Sequence, residues 1–435
     1  MSATSPAQVA VALPQPNDEQ AAVIETLATW VNNRSDSRAL YVLKAPAGCG
    51  KTFCLRHLVN KIRGRIVFTA PTNKATKVLR EQLTTPDYRP DCRTIYSLLG
   101  LSLSADGEVK VLTQPEDPVD LTDYRLVVVD EGSMLNKEVV GHIRNAALST
   151  GVKILFLGDP AQLPPVKETT SPIWQFENVL TLTKVMRHDN QILAFATSLR
   201  HLIDQPFGMP QIKADADNGQ GIFTGNAMDF HIQVAQAAEL GELSKPDSTK
   251  VIAWRNATVD NFNRLARQRI FPETWHEAFF QRGDRVIFTA PASDSEDKPI
   301  GKVDDEGTIT NVYDGWHWKY NQFKTQSIGL TMDDGRLVIA QILHPSEERR
   351  YQDELNRLSS LAKDDRKKWR DFWAFKEAFH QLRHSYAITA HRSQGSTYEK
   401  ALVNYRDIMV NKDRSEALRC LYVACTRPKK VLFLG

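Results

Sequence analysis

The chain has 435 residues, 42% of them hydrophobic and 25% charged, and its 55 basic against 52 acidic side chains leave a formal charge of +3. That length allows about two to four domains of ~100–200 residues each, and the apolar content excludes a disordered, collagenous or coiled-coil chain. The near-neutral balance excludes a polycation that holds nucleic acid by bulk charge, so any such function must rest on local chemistry.

No apolar run reaches the ~18–20 residues that span a bilayer. The opening stretch lacks a basic n-region and is interrupted by Pro14 and Pro16, which argues against a signal peptide. Five cysteines, an odd number, fit a reducing compartment. Cys49/Cys54 and Cys420/Cys425 repeat one spacing, but one pair spans a phosphate-loop candidate and the other a helical stretch. With no CxxC pair or compact His/Cys cluster, both read as reduced thiols rather than zinc ligands.

In chain order, near-continuous apolar runs fall at 39–45, 65–70, 125–130, 153–159 and 178–183, each followed or preceded by a helical pattern. Such runs are strands buried on both faces, and their alternation with helices predicts a parallel sheet. The theme returns at 250–254, 385–389, 400–405 and 430–434, predicting a second α/β unit joined to the first near residue 190. Two stretches differ. Residues 99–112 alternate about Asp106-Gly107, a hairpin signal. Residues 283–343 read as short strands separated at Asp314-Gly315 and Asp334-Gly335, predicting a small β-barrel inserted in the second unit. The charged stretch 346–383 carries Tyr351, Leu355, Leu358, Ala362, Trp369, Phe372 and Trp373 near helical spacing, predicting a solvated helix pair that packs its aromatics on a neighbour.

The sharpest local signal is the strand at 39–45 running into Ala45-Pro-Ala-Gly-Cys-Gly-Lys-Thr52 and then a helical stretch from Phe53 to Ile62. Backbone N–H groups of Ala47, Gly48, Cys49 and Gly50, in the loop and at the helix start, suit phosphate oxygens. Lys51 suits the β/γ-phosphates, and the Thr52 hydroxyl suits Mg²⁺. Ala45 stands where the first glycine of the usual pattern would be. Asp130 closes a buried strand and Glu131 follows it: the first suits a metal and the second an attacking water. A third strand ends in Leu-Gly-Asp-Pro-Ala-Gln162, offering an amide to sense the γ-phosphate.

These pieces, in this order, resemble the superfamily 1 helicases, and the resemblance continues to the C-terminus. Asn17-Asp-Glu-Gln20 resembles the glutamine motif, 69–79 motif Ia, 94–97 motif Ib, Leu182-Thr-Lys-Val-Met-Arg187 motif IV, 386–397 motif V and 421–430 motif VI. Length, inserted barrel and charged helices resemble the RecD-like 5′→3′ branch, superfamily 1B. Tyr96 departs from the histidine common in motif Ib, and Gly132 from the usual alanine of motif II.

The resemblance implies an α/β fold of two RecA-like parallel-sheet domains, with an inserted β-hairpin (1B) and an inserted SH3-like small β-barrel plus helices (2B). The expected bounds are 1–188 for the first domain, with the hairpin at about 86–120, and 189–435 for the second, interrupted by the barrel at about 281–345 and helices at about 346–383. It implies ATP and Mg²⁺ as cofactors. Lys51, Glu131, Gln162, Arg187 and Arg427 are the expected catalytic residues, the two arginines reaching the γ-phosphate across a cleft. Gln20 would read the adenine edge and Gly395 would lie at the nucleotide, while Thr52 and Asp130 hold the metal. Pro71, Thr72, Asn73, Thr94, His391 and Gln394 would grip a single strand without reading sequence. Single-stranded DNA and strand–duplex junctions are the implied partners, with single-strand-binding or replication proteins beyond them, for a monomer in bacterial or phage-infected cytoplasm. The expected activity is ATP-driven 5′→3′ unwinding, with the hairpin tip at Ser104–Glu108 as a separating pin. The alternatives are a translocase that strips proteins with weak unwinding, and a nucleotide-gated DNA-binding switch.

Overall fold

The computed structural model describes residues 14–103, 109–111, 120–165, 168–186, 191–203, 205, 207–296 and 298–435. Its first sheet has six strands in the order Asp91–Thr94, Arg65–Ala70, Tyr124–Val129, Lys153–Gly158, Leu40–Lys44, Val179–Thr181. All neighbours are parallel, with Leu40 opposite Ile154 and Ile66 opposite Leu126. Residues 154–157 are at most 1% exposed, which explains why these strands read as unbroken apolar runs rather than alternating ones. One face packs on Ile24, Leu27, Leu55 and Leu58, and the other on Val139, Ile143 and Ile173.

The second sheet follows the order Ala387–Thr389, Thr249–Ala253, Tyr398–Val403, Pro428–Leu434, Gln220–Thr224, Asp215–Asp217. Only the last pair is antiparallel. The short strands Asp91–Thr94, Gln220–Thr224 and Asp215–Asp217 were not anticipated: they hold few consecutive apolar residues and sit at or near sheet edges.

The inserted strands form a third, antiparallel sheet in the order Leu337–Leu343, Lys324–Met332, Glu306–Trp316, Arg285–Phe288, Leu382–His384. One expectation changes here. Asp314-Gly315 is no turn: Asp314 pairs with Gln326 and Gly315 with Thr325 inside a continuous strand, and Gln326 Nε2 donates to Asp314 Oδ1 at 3.1 Å. Gly315 lacks the positive φ such a turn needs, whereas Gly335 has φ +89 and does turn the chain. The two ends of this sheet meet just before its fifth strand, where His380 N donates to Gln341 O at 2.8 Å, and that strand, Leu382–His384, comes from beyond the charged helices.

Those helices are Glu348–Asp364 and Trp369–Lys376. Tyr351, Leu355, Leu358, Phe375 and Phe379 close over Phe323, and the Tyr320 and Phe375 rings meet edge-on at 5.1 Å. Strands Leu101–Leu103 and Val109–Val111 pair antiparallel as the hairpin pattern predicts, and its tip at 104–108 lies outside the described residues. All five cysteines are buried and unbridged. No described helix is long and apolar enough to cross a membrane.

Candidate active site

At the C-terminal edge of the first sheet, Leu40–Lys44 leads through the loop into helix Lys51–Val59, two residues earlier at its start and three at its end than the sequence pattern suggests. Ala45 is fully buried, extends the strand by donating its N–H to Gly158 O at 3.0 Å, and keeps an ordinary backbone, so no glycine is needed there. Gly48 is needed. Its φ is +82, and a Cβ would fall 2.3 Å from Leu193 of the helix that follows the linker to the second domain. Gly50, at φ +88, admits the Gln20 amide in the same way.

Gln20 lies at the third position of helix Asp18–Asn32 and completes a capping box with Asn17. Its Oε1 accepts from Asn17 N at 3.2 Å and its Nε2 donates to Cys49 O at 3.1 Å, so the amide is pinned to the loop with one N–H left to offer. Pro14, Gln20, Gly48, Lys51, Thr52 and Met186 line a cavity of about 580 Å³, within the usual size range of small-molecule sites.

Lys51 is buried. Desolvation opposes its charge, but Glu131, Asp130 and Asp159 outweigh that and hold its pKa above the ordinary lysine value. Asp130 shows the converse. Burial and the neighbouring Glu131 push its carboxyl up to about 6, against the pull of Lys51. Glu131 has a left-handed backbone, φ 51, and its buried Oε2 has no hydrogen-bond partner. A strained residue with an orphaned carboxylate oxygen is what a site looks like when it waits for a proton donor or a cation.

Thr52 Oγ1 donates to Gln82 Oε1 at 2.9 Å, a contact absent from the sequence reading. It turns the hydroxyl hydrogen away and leaves the oxygen lone pairs for a cation. Thr52 and Asp130 are hard oxygen donors, and with the orphaned oxygen of Glu131 nearby they fit Mg²⁺.

The second domain closes the site. Arg427 is buried, donating Nε to Val423 O at 2.9 Å, Nη1 to Ser396 O at 3.1 Å and Nη2 to Thr426 Oγ1 at 2.8 Å. Three of five guanidinium N–H groups are thus engaged, leaving two. Its charge is felt at Lys51. Gln162 is buried and accepts from Gln394 Nε2 at 3.0 Å, so Gln394, expected at DNA, sits instead in the seam between domains. Gly395, expected at the nucleotide, packs on motif Ia: a Cβ there would meet Ala75 Cβ at 3.0 Å. Arg187 lies outside the described residues, while its neighbour Met186 donates its N–H to Gly48 O at 3.1 Å beside the phosphate loop.

The remaining DNA candidates lie in motifs Ia, Ib and V. Thr72 and Thr94 cap the helices that follow them, Thr72 Oγ1 accepting from Ala75 N at 3.2 Å and Thr94 Oγ1 from Ser97 N at 3.1 Å. Pro71 is half-buried beside them. Asn73 Nδ2 donates to Asp305 Oδ1 at 3.0 Å, Lys74 pairs with Glu306 at 3.2 Å, and Arg392 of motif V pairs with Asp304 at 2.9 Å. One acidic turn of the inserted sheet therefore grips both motifs. His391 lies 3.7 Å from Glu416, and burial lowers its pKa although Glu416 opposes this.

A phosphate loop, a strand-end acid pair and a buried arginine beside a second, mostly parallel sheet define a phosphate-loop nucleoside triphosphatase of two RecA-like domains. The family described as "AAA domain" matches residues 15–206. The "ATP-dependent DNA helicase dda" of enterobacteria phage T4 is 24% identical over 433 residues, covering 90% of this chain and 93% of its own. An uncharacterized protein, R530, of Acanthamoeba polyphaga mimivirus is 23% identical over 495 residues, covering 96% and 99%. A crystal structure of a Pif1 helicase from Bacteroides with ADP-AlF3 and single-stranded DNA aligns over 94% of this chain and 91% of its own, at 16% identity and a TM-score of 0.49. The motif series and the relatives aligned over most of their length make this chain similar to the Dda-like helicases of superfamily 1B.

Proposed function

We infer that the chain is an ATP-dependent DNA helicase that moves 5′→3′ along single-stranded DNA and opens duplex. The observation that carries this reading is the seam at the nucleotide site. Lys51, Asp130, Glu131 and Gln162 come from one sheet, and Arg427 and Gln394 meet them from the other.

In this reading the motor domains are 1–188 and 189–435, and the adenine edge rests on Gln20. Lys51 and the loop N–H groups neutralise the β/γ-phosphates. Glu131 takes the proton of the attacking water through its unpaired oxygen. The two free N–H groups of Arg427, with Arg187, offset the charge that spreads over the γ-oxygens, and an arginine of this kind can contribute about 10³–10⁵ in rate. Mg²⁺, held by Thr52 and Asp130, would neutralise phosphate charge when bound. Because Arg427 comes from the second domain and Arg187 from the end of the first, hydrolysis depends on closure, and each cycle opens and closes the groove in which Thr72, Asn73, Thr94 and His391 touch DNA. The hairpin at 99–112 stands as the separating pin; deleting its tip should leave ATP turnover and remove unwinding.

The test is ATPase activity with and without single-stranded DNA. Stimulation by the strand and its loss in Lys51→Ala are expected; turnover indifferent to DNA would favour the nucleotide-gated switch instead.

A further inference from the structure

A cavity of about 620 Å³, similar in size to the nucleotide cavity, lies at the opposite end of the first sheet. Arg125 is the second residue of its strand and Asp130 follows the last. At about 3.3 Å per residue, roughly 17 Å of strand separates the two ends. The cavity is lined by Arg34, Lys61, Arg63 and Arg125, with Glu25 as its one carboxylate. Lys61 pairs with Glu25 at 2.7 Å, which leaves three arginines without an ion pair among the described residues. Arg125 Nη2 is buried and has no hydrogen-bond acceptor among the described residues. Burial and the charge of Arg34 both push the Arg125 pKa below the ordinary arginine value, so the guanidinium sits in an uncompensated positive field.

The rim is held in place. Asn32 Nδ2 donates to Lys61 O at 2.8 Å, and Arg63 N donates to Asn32 Oδ1 at 3.0 Å. The C-termini of helices Asp18–Asn32 and Lys51–Val59 point here, and their dipoles offset an exposed cation or two. They do not supply an acceptor for a buried guanidinium N–H, and leaving such a group unsatisfied is costly.

We propose that this cavity is a second phosphate-binding site, in which Arg125, Arg34 and Arg63 hold the phosphate groups of a nucleotide or of a nucleic-acid strand. Planar guanidinium groups suit phosphate oxygens pairwise, and three converging arginines match a di- or triphosphate or successive backbone phosphates. The site shares no residue with the ATP cavity, so it stands or falls apart from the helicase reading.

The test uses the full chain with its ATP site saturated by Mg²⁺ and a non-hydrolysable ATP analogue. Inorganic pyrophosphate is titrated calorimetrically into the unaltered protein and into Arg34→Glu/Arg63→Glu, two exposed positions. Binding is expected in the first and at least tenfold weaker in the second. A thymidine oligonucleotide titrated across salt concentrations then separates the sources. A salt slope lower by about 2 in the variant assigns the phosphates to a strand. An unchanged slope with lost pyrophosphate binding assigns them to a free nucleotide or phosphate. Equal pyrophosphate affinity in the two proteins, or none in either, overturns the proposal.

Discussion

The Tyr422 hydroxyl donates to Asp159 Oδ2 at 2.5 Å, joining a helix of the second domain to the strand-end loop of the first. The same Oδ2 and the phenol oxygen both accept from Ala47 N at 3.3 Å, in the phosphate loop. Arg419, one turn earlier on the Tyr422 helix, donates to Pro160 O and Gln162 O. The second domain is thereby joined directly to the phosphate loop.

Tyr422→Phe removes this bond and little else, since the ring stays in its apolar surroundings. A hydrogen bond to a charged group contributes about 1.5–3 kcal/mol, so kcat for DNA-stimulated hydrolysis should fall about tenfold or more while KM for ATP changes little. Steady-state kinetics with saturating single-stranded DNA check this. A rise in KM at constant kcat would make Tyr422 a binding residue instead.

Glu131→Gln keeps the volume of the side chain and removes its capacity to take a proton. Nucleotide binding should persist, and turnover should drop by about 10²-fold or more, as for loss of a general base. Fluorescent-nucleotide binding alongside a phosphate-release assay separates the two effects.

Glu306 lies at the centre of a buried charge cluster, with Lys250 at 2.8 Å, Lys74 at 3.2 Å and Arg285 at 3.2 Å. Burial alone would raise its pKa, but the three cations hold it well below the usual carboxylate range. Glu306→Gln leaves them facing one another and should cost about 3–5 kcal/mol of stability. Removing the exposed Glu296–Lys298 pair should cost less than about 0.5 kcal/mol. Urea unfolding of both variants makes the comparison.

His380 also has its pKa lowered, but here the fold favours the neutral form. Its Nδ1 accepts from Gln341 N and its Nε2 lies against Ser293 O, both at 2.9 Å, and burial pushes its pKa down to about 4. The folded state refuses a proton that the unfolded chain accepts below its pKa of about 6.5. Stability from this group is therefore complete above pH 6.5 and is lost as pH falls toward 4, by about 2 kcal/mol at pH 5. Unfolding at pH 7.5 and pH 5 should show a loss on acidification that shrinks by about that amount in His380→Gln; an equal loss in both proteins would contradict it.

What could be read before folding follows from how local each signal is. The strands at 39–45 and 153–159 were legible because both faces are buried, and the positions of Lys51, Thr52, Asp130 and Glu131 after strand ends because those patterns are local in the chain. Asp314-Gly315 misled because a dipeptide states what a turn permits, while cross-strand pairing with Gln326 and Thr325 decided otherwise. Asp159 was overlooked beside Gln162, and Tyr422 beside Arg427, because their value lies in partners far along the chain. Gln394 and Gly395 are placed by domain contact with Gln162 and Ala75, which no motif spacing records.

The most direct test is unwinding of two duplexes that differ only in carrying a 5′ or a 3′ single-stranded tail, with ATP and Mg²⁺. Strand release from the 5′-tailed duplex alone, abolished by Lys51→Ala, is the predicted result. Release from the 3′-tailed duplex alone, or from either without ATP hydrolysis, would contradict the account.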